Sequence, residues 1–143
     1  MAGYLDQYGA GEEQREKKIK AAILILVAAV IVGGACYWFF KNYRQERQAK
    51  IFFEDLAKQD YKTAYSLWGC TDAKPCREYP FQEFLKDWGP QSGKSAGSVY
   101  KSRSCGTGVI LTIRYPDKPE DKLWVQRDDL LIGFSPWPGC PAR

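Results

Sequence analysis

Residues 21–40, running from Ala21 through Ile23, Leu24, Ile25 and Leu26 to Tyr37, Trp38, Phe39 and Phe40, carry no charge and are bracketed by Lys20 and Lys41. An apolar helix of about 20 residues rises about 30 Å, the thickness of a bilayer's hydrocarbon core. The stretch is therefore predicted to be a membrane-spanning helix. The rest of the chain is predicted to divide around it: a cytoplasmic tail over 1–20, a helical connector over 41–50 and one small outer domain over 51–143. The tail has too little apolar surface to fold alone. Its Tyr4, Leu5 and Tyr8 are read as disordered near the headgroups or as a short docking segment for a partner subunit.

Flanking charge does not orient the span. Arg15, Lys17, Lys18 and Lys20 on one side are matched by Lys41, Arg44, Arg47 and Lys50 on the other, and the positive-inside rule needs an asymmetry. Cysteine supplies one. Cys70, Cys76, Cys105 and Cys140 all follow the span, and an even number in a small domain fits disulfides made in an oxidising compartment. The domain is accordingly expected outside the cytoplasm and the N-terminus inside. Gly33-Gly34-Ala35-Cys36 resembles a lipoprotein processing site, which leaves Cys36 open as a lipidation position. Gly33 stands where such a signal prefers a large aliphatic residue, and the apolar run continues to Phe40, so a retained helix is expected.

Within the span, Ala22, Ala29, Gly33 and Cys36 recur at spacings of seven, four and three residues. That periodicity lines small side chains along one stripe, where a second helix can approach closely. Either the stripe faces lipid, Ala and Gly being frequent in spanning helices, or it packs on a helix; in the second case another membrane protein or complex is the expected partner, with self-association the alternative. Tyr37, Trp38, Phe39, Phe40 and Tyr43 form an aromatic belt of the kind that anchors helices at a membrane interface.

Beyond the connector, Phe53, Ala57, Tyr61, Ala64, Tyr65 and Trp68 recur at helical spacing, with a bend expected at Gln59, a new start capped by Asp60 and an end at Gly69. A further helix opens at Pro80, presents Phe81, Phe84, Leu85 and Trp88, and stops at Gly89. From Ser92 the periodicity changes. Val109, Leu111, Ile113 and Tyr115 alternate with Ile110, Thr112 and Arg114, which predicts a half-buried strand. Leu123–Gln126 and Leu130–Phe134 read as hairpin arms turning at Arg127-Asp128-Asp129, Ser98–Ser104 reads as a weaker strand, and Ser135–Gly139 reads as a loop leaving the sheet. The fold class is α+β: the apolar helix continuing into two to three helices packed on a curved antiparallel sheet of three to four strands.

A disulfide between Cys70 and Cys76 is the economical assignment, leaving Cys105 for Cys140; three pairings are formally open. Zinc prefers two pairs of ligands two to four residues apart, which these cysteines do not offer, so no metal is expected.

The segment Phe52–Trp68, with its Asp60-Tyr61 and Ala64-Tyr65 pairs and the helices-then-strands order, resembles the nuclear transport factor two-like superfamily of cystatin-like α+β cones over residues 48–136. The arrangement of tail, single span and cysteine-bearing domain is similar to bacterial single-pass membrane proteins, which implies the bacterial inner membrane with the domain in the periplasm. Members of that superfamily have a cone-shaped cavity and serve as enzymes, ligand binders or association modules. Here the cavity would be lined by Tyr61, Tyr65, Trp68, Phe84 and Trp88.

The chain holds no histidine, which removes the commonest general base and the commonest metal ligand. No Gly-rich phosphate loop is present. The formal charge of +4 is spread among alternating lysines and aspartates rather than gathered for nucleic acid. No catalytic residue and no cofactor are expected. Two roles follow: a non-enzymatic membrane-anchored accessory or assembly subunit, or a domain binding a small apolar ligand.

Overall fold

The computed structural model describes residues 6–140, with side chains from Gly11 onward; Tyr4, Leu5 and the side chain of Tyr8 lie outside the described residues. The chain divides into two compact units at the Lys41/Asn42 boundary.

The first unit is one helix, α1 (Asp6–Phe40), of 35 residues. It is long and apolar enough to cross a membrane. Every residue from Gly11 to Lys41 is exposed. Leu24, Ile25, Val30 and Ile31 are each about two-thirds exposed, so the helix has an apolar surface that its own unit does not cover. Charge is confined to the part before Ala21.

The second unit is α+β. Helix α2 (Tyr43–Ala57) buries Gln45, Ala49, Phe52, Phe53 and Leu56, a stripe with the spacing of one helix face. The predicted stripe is thereby corrected. Ala57 is exposed, because α2 ends there; the chain then turns through Gln59 at φ 58°, the expected bend. The helical stretch that holds the span runs on to Ala57, as expected, with a turn at Lys41–Asn42 dividing it into α1 and α2. Residues expected to form a connector belong to the second unit instead, since Asn42, Gln45 and Ala49 are buried in it.

Asp60 then caps α3 (Tyr61–Ser66), its carboxylate accepting from the Thr63 amide at 3.3 Å; this satisfies one of the donors a helix N-terminus leaves unpaired. Gly69, at φ +78°, turns the chain out of that helix. Helix α4 (Phe81–Trp88) follows Pro80 and ends at Gly89, burying Phe84 and Trp88.

Four strands, β1 (Ser98–Cys105), β2 (Gly108–Arg114), β3 (Asp121–Gln126) and β4 (Ile132–Phe134), make one antiparallel sheet in the order β1-β2-β3-β4. Short connections make this meander the simplest topology. Tyr100 is an extra residue in β1, between the pairs Val99↔Ile113 and Lys101↔Thr112. One face of the sheet carries Val109, Leu111, Ile113, Leu123, Val125 and Ile132, all buried against α2, α3 and α4.

The other face is not simply solvated. Ile110, expected to alternate outward, is buried. It pairs with Trp124 across β3, and Trp124 meets Trp137 edge to face at 5.6 Å. The segment expected to leave the sheet turns back over it: the Ser135 amide donates to the Lys122 carbonyl at 3.0 Å and the Lys122 ammonium to the Pro138 carbonyl.

Two disulfides staple the second unit, Cys70–Cys76 with Cα atoms 5.3 Å apart and Cys105–Cys140 at 5.4 Å. The second closes 35 residues of chain and holds the covering segment to the end of β1.

Candidate interaction surfaces

The five residues expected to line a cavity sit in a packed aromatic cluster. Tyr65, Phe84 and Trp88 are buried, with Tyr61 and Trp68 partly buried against them. The space between the helices is occupied by Phe52, whose ring lies 6.0 Å from Trp68, 6.2 Å from Phe84 and 5.1 Å from Trp88. Such tilted and edge-on contacts at 4.5–7 Å are the preferred geometry of packed rings. These five residues thus pack as part of the core cluster. Phe52 escaped the sequence reading because the stripe was centred one residue later.

An open groove of about 860 Å³ lies instead between α2 and β1, with Tyr43, Arg47, Lys50, Phe53, Ala57 and Val99 among the residues along it. Its floor is close-packed: a Cβ at Gly97 would lie 2.5 Å from the Phe53 ring and 2.7 Å from that of Tyr115. Only glycine allows this approach of backbone to rings.

The α2–β1 junction is closed at one end by polar groups. The Ser104 hydroxyl donates to the Asn42 carboxamide oxygen at 2.8 Å, the Asn42 amide donates to Ser102 Oγ at 3.4 Å, and the Ser102 hydroxyl donates to Glu46. Asn42 is buried, and buried polar side chains are stable when they are bonded in this way. The signal for this clamp was present in Lys101-Ser102-Arg103-Ser104: strand alternation puts both hydroxyls on one face and both cations on the other.

Titratable groups near the core are held in place by burial. Burial, followed by the hydrogen bond to Asp121, raises the Tyr115 phenol above its ordinary range; Tyr79, which donates to Asp87 at 2.8 Å, is raised for the same two reasons. Both phenols therefore act as fixed donors. Asp121 also pairs with Lys94 at 2.8 Å, and the Lys94 ammonium lies 5.0 Å from the centre of the Trp88 ring. Burial raises the Asp55 carboxyl, with Asp60 and Glu54 adding like charge. One Asp55 oxygen is buried without a hydrogen-bond partner.

On α1, Ala22, Ala29, Gly33 and Cys36 are exposed. A Cβ added at Gly33 or Gly34 meets nothing within 4 Å. Cys36 is a free thiol.

No family of known proteins, curated protein or solved structure matches this chain.

Proposed function

We propose that this chain is a non-enzymatic, membrane-anchored accessory subunit. Its α1 crosses the inner membrane and packs on a membrane partner through the small-residue stripe. Its second unit is an interaction module in the periplasm or outside the cell. The observation that carries the proposal is the continuous exposure of α1 from Gly11 to Lys41: about 20 apolar residues cannot be left in water, and the described residues of their own unit do not cover them. The two disulfides support an oxidising compartment for the second unit and so a cytoplasmic N-terminus. The helices-then-meander order is consistent with the proposed kinship to the nuclear transport factor two-like superfamily, here used for association.

Native-detergent pull-down of the full chain tests the partner. Gly33→Leu fills the stripe without changing charge, and the expected result is loss of the membrane proteins that co-purify with the wild type. Unchanged co-purification would refute packing through that stripe.

A further inference from the structure

Four exposed cations of the second unit lie on the two segments that meet at Asn42, where the chain enters the unit from α1. Arg44 and Arg47 are exposed on α2, and Lys101 and Arg103 are exposed on β1. The clamp from Asn42 and Glu46 to Ser102 and Ser104 fixes the Ser102–Cys105 end of β1 beside the first turn of α2, so both pairs stay near Asn42, Arg44 and Arg47 on the helix and Lys101 and Arg103 on the strand face turned away from it.

These four cations make no ion pair among the described residues. Four other cations of the unit do, Lys62 with Asp72, Lys86 with Glu83, Lys94 with Asp121 and Arg114 with Glu120; what distinguishes Arg44, Arg47, Lys101 and Arg103 from the remaining unpaired cations, such as Lys58 and Lys74, is their place next to Asn42. Of the nearby acids, Glu46 is engaged by Ser102. Asp128 and Asp129 lie at the same end of the sheet but in the β3–β4 turn, beyond β2 and β3 from the cations of β1.

Chain connectivity sets where this charge must be. Asn42 follows the last residue of α1, Phe40, by two positions, a span of at most about 7 Å even when fully extended. Headgroups occupy about 5–8 Å beyond each face of the hydrocarbon core. If α1 spans a bilayer, Asn42 stays in or next to the phosphate layer whatever the angle between the units, and the four cations come with it.

We infer that Arg44, Arg47, Lys101 and Arg103 form a collar that binds the phosphates of anionic lipid and holds this end of the second unit on the membrane. Guanidinium groups suit the role, since they bind phosphate oxygens bidentately. Each cation near an anionic surface contributes about fivefold in affinity. The inference rests on the membrane-spanning reading of α1, and applies with the domain on either side. It also accounts for basic residues on the outer flank of the span, where the positive-inside rule disfavours them.

The test uses the full chain in detergent with its disulfides intact, mixed with phosphatidylglycerol and phosphatidylcholine and read by native mass spectrometry. Wild type is expected to retain phosphatidylglycerol in preference. Arg44→Gln/Arg47→Gln and Lys101→Gln/Arg103→Gln are each expected to weaken that binding about 25-fold, at about fivefold per cation. Lys58→Gln/Lys74→Gln removes the same charge away from the collar and is expected to leave it unchanged. Intact disulfides and wild-type melting would show that the variants are folded. Collar variants that bind like wild type, or controls that lose as much, would overturn the inference. A parallel alkaline carbonate wash separates the two levels: release of the wild-type chain from membranes refutes the span and the collar with it, whereas retention with no lipid preference refutes the collar alone.

Discussion

Replacing Phe52 by alanine measures whether the space between helices and sheet is packed core or ligand cavity. The Phe52 side chain is fully buried and its ring touches those of Phe53, Trp68, Phe84 and Trp88 at centroid distances of 5.1–6.2 Å. Truncating a phenylalanine in a close-packed core costs about 3–5 kcal/mol, the sum of lost transfer energy and the void left behind. Aromatic neighbours on several sides favour the upper half, since each ring pair contributes about 0.5–1.5 kcal/mol beyond area. For a urea slope of about 2 kcal/mol/M, a loss of about 4 kcal/mol moves the unfolding midpoint by about 2 M. The assay is equilibrium urea unfolding of the full chain in micelles, followed by tryptophan fluorescence. Phe52→Leu, which keeps most of the volume, is expected to cost about 1–2 kcal/mol. If Phe52→Ala cost about 1 kcal/mol or less, the ring would already border empty space and the packed-core account would be wrong.

Other predictions follow from single contacts. Cys140→Ser opens the 35-residue loop and is expected to lower stability by about 3–4 kcal/mol if loop entropy dominates, while exposing Trp124 to acrylamide quenching; unchanged quenching would mean the covering segment holds without its staple. Gly97→Ala forces a methyl into the Phe53 and Tyr115 rings and is expected to cost about 1–3 kcal/mol, read as a lower melting temperature; an unchanged melting temperature would contradict the close approach. The raised Asp55 carboxyl means the folded chain binds that proton more tightly than the unfolded one, whose value is near 3.8. Stability from this group is therefore greatest below the unfolded value and falls as pH rises through the folded one. Asp55→Asn should raise the melting temperature at pH 7 and have no effect at pH 3; an equal shift at both would assign the gain to something other than charge burial.

Much of the second unit is legible in the sequence because its punctuation is local. Asp60, Gly69, Pro80 and Gly89 end or begin elements through their own backbone or capping chemistry, and β2 announces itself by alternation. What the sequence conceals is set by tertiary contact. Ile110 follows the outward phase of its strand and is still buried, beside Trp124 of β3, whose ring in turn meets Trp137 of the stapled C-terminal segment. Asn42 lies in a polar run that looks like a solvated connector, and its burial depends on two serines of β1 some 60 residues away. Phe52 and Phe53 are adjacent and equally apolar; which of them centres the cluster depends on where α2 stops, and that is decided by the reversal at Gln59. The aromatic residues of α3 and α4 were identifiable as a face, but not whether that face encloses space, since filling depends on Phe52.

Labelling of intact spheroplasts with a membrane-impermeant maleimide, with and without impermeant reductant, tests the membrane account most directly. The expected result is that the chain stays with the membrane after carbonate washing, that Cys70, Cys76, Cys105 and Cys140 label only after reduction, and that they do so from outside the cell. Labelling of those cysteines without reductant, protection of them from outside after reduction, or release of the chain into the wash would contradict it.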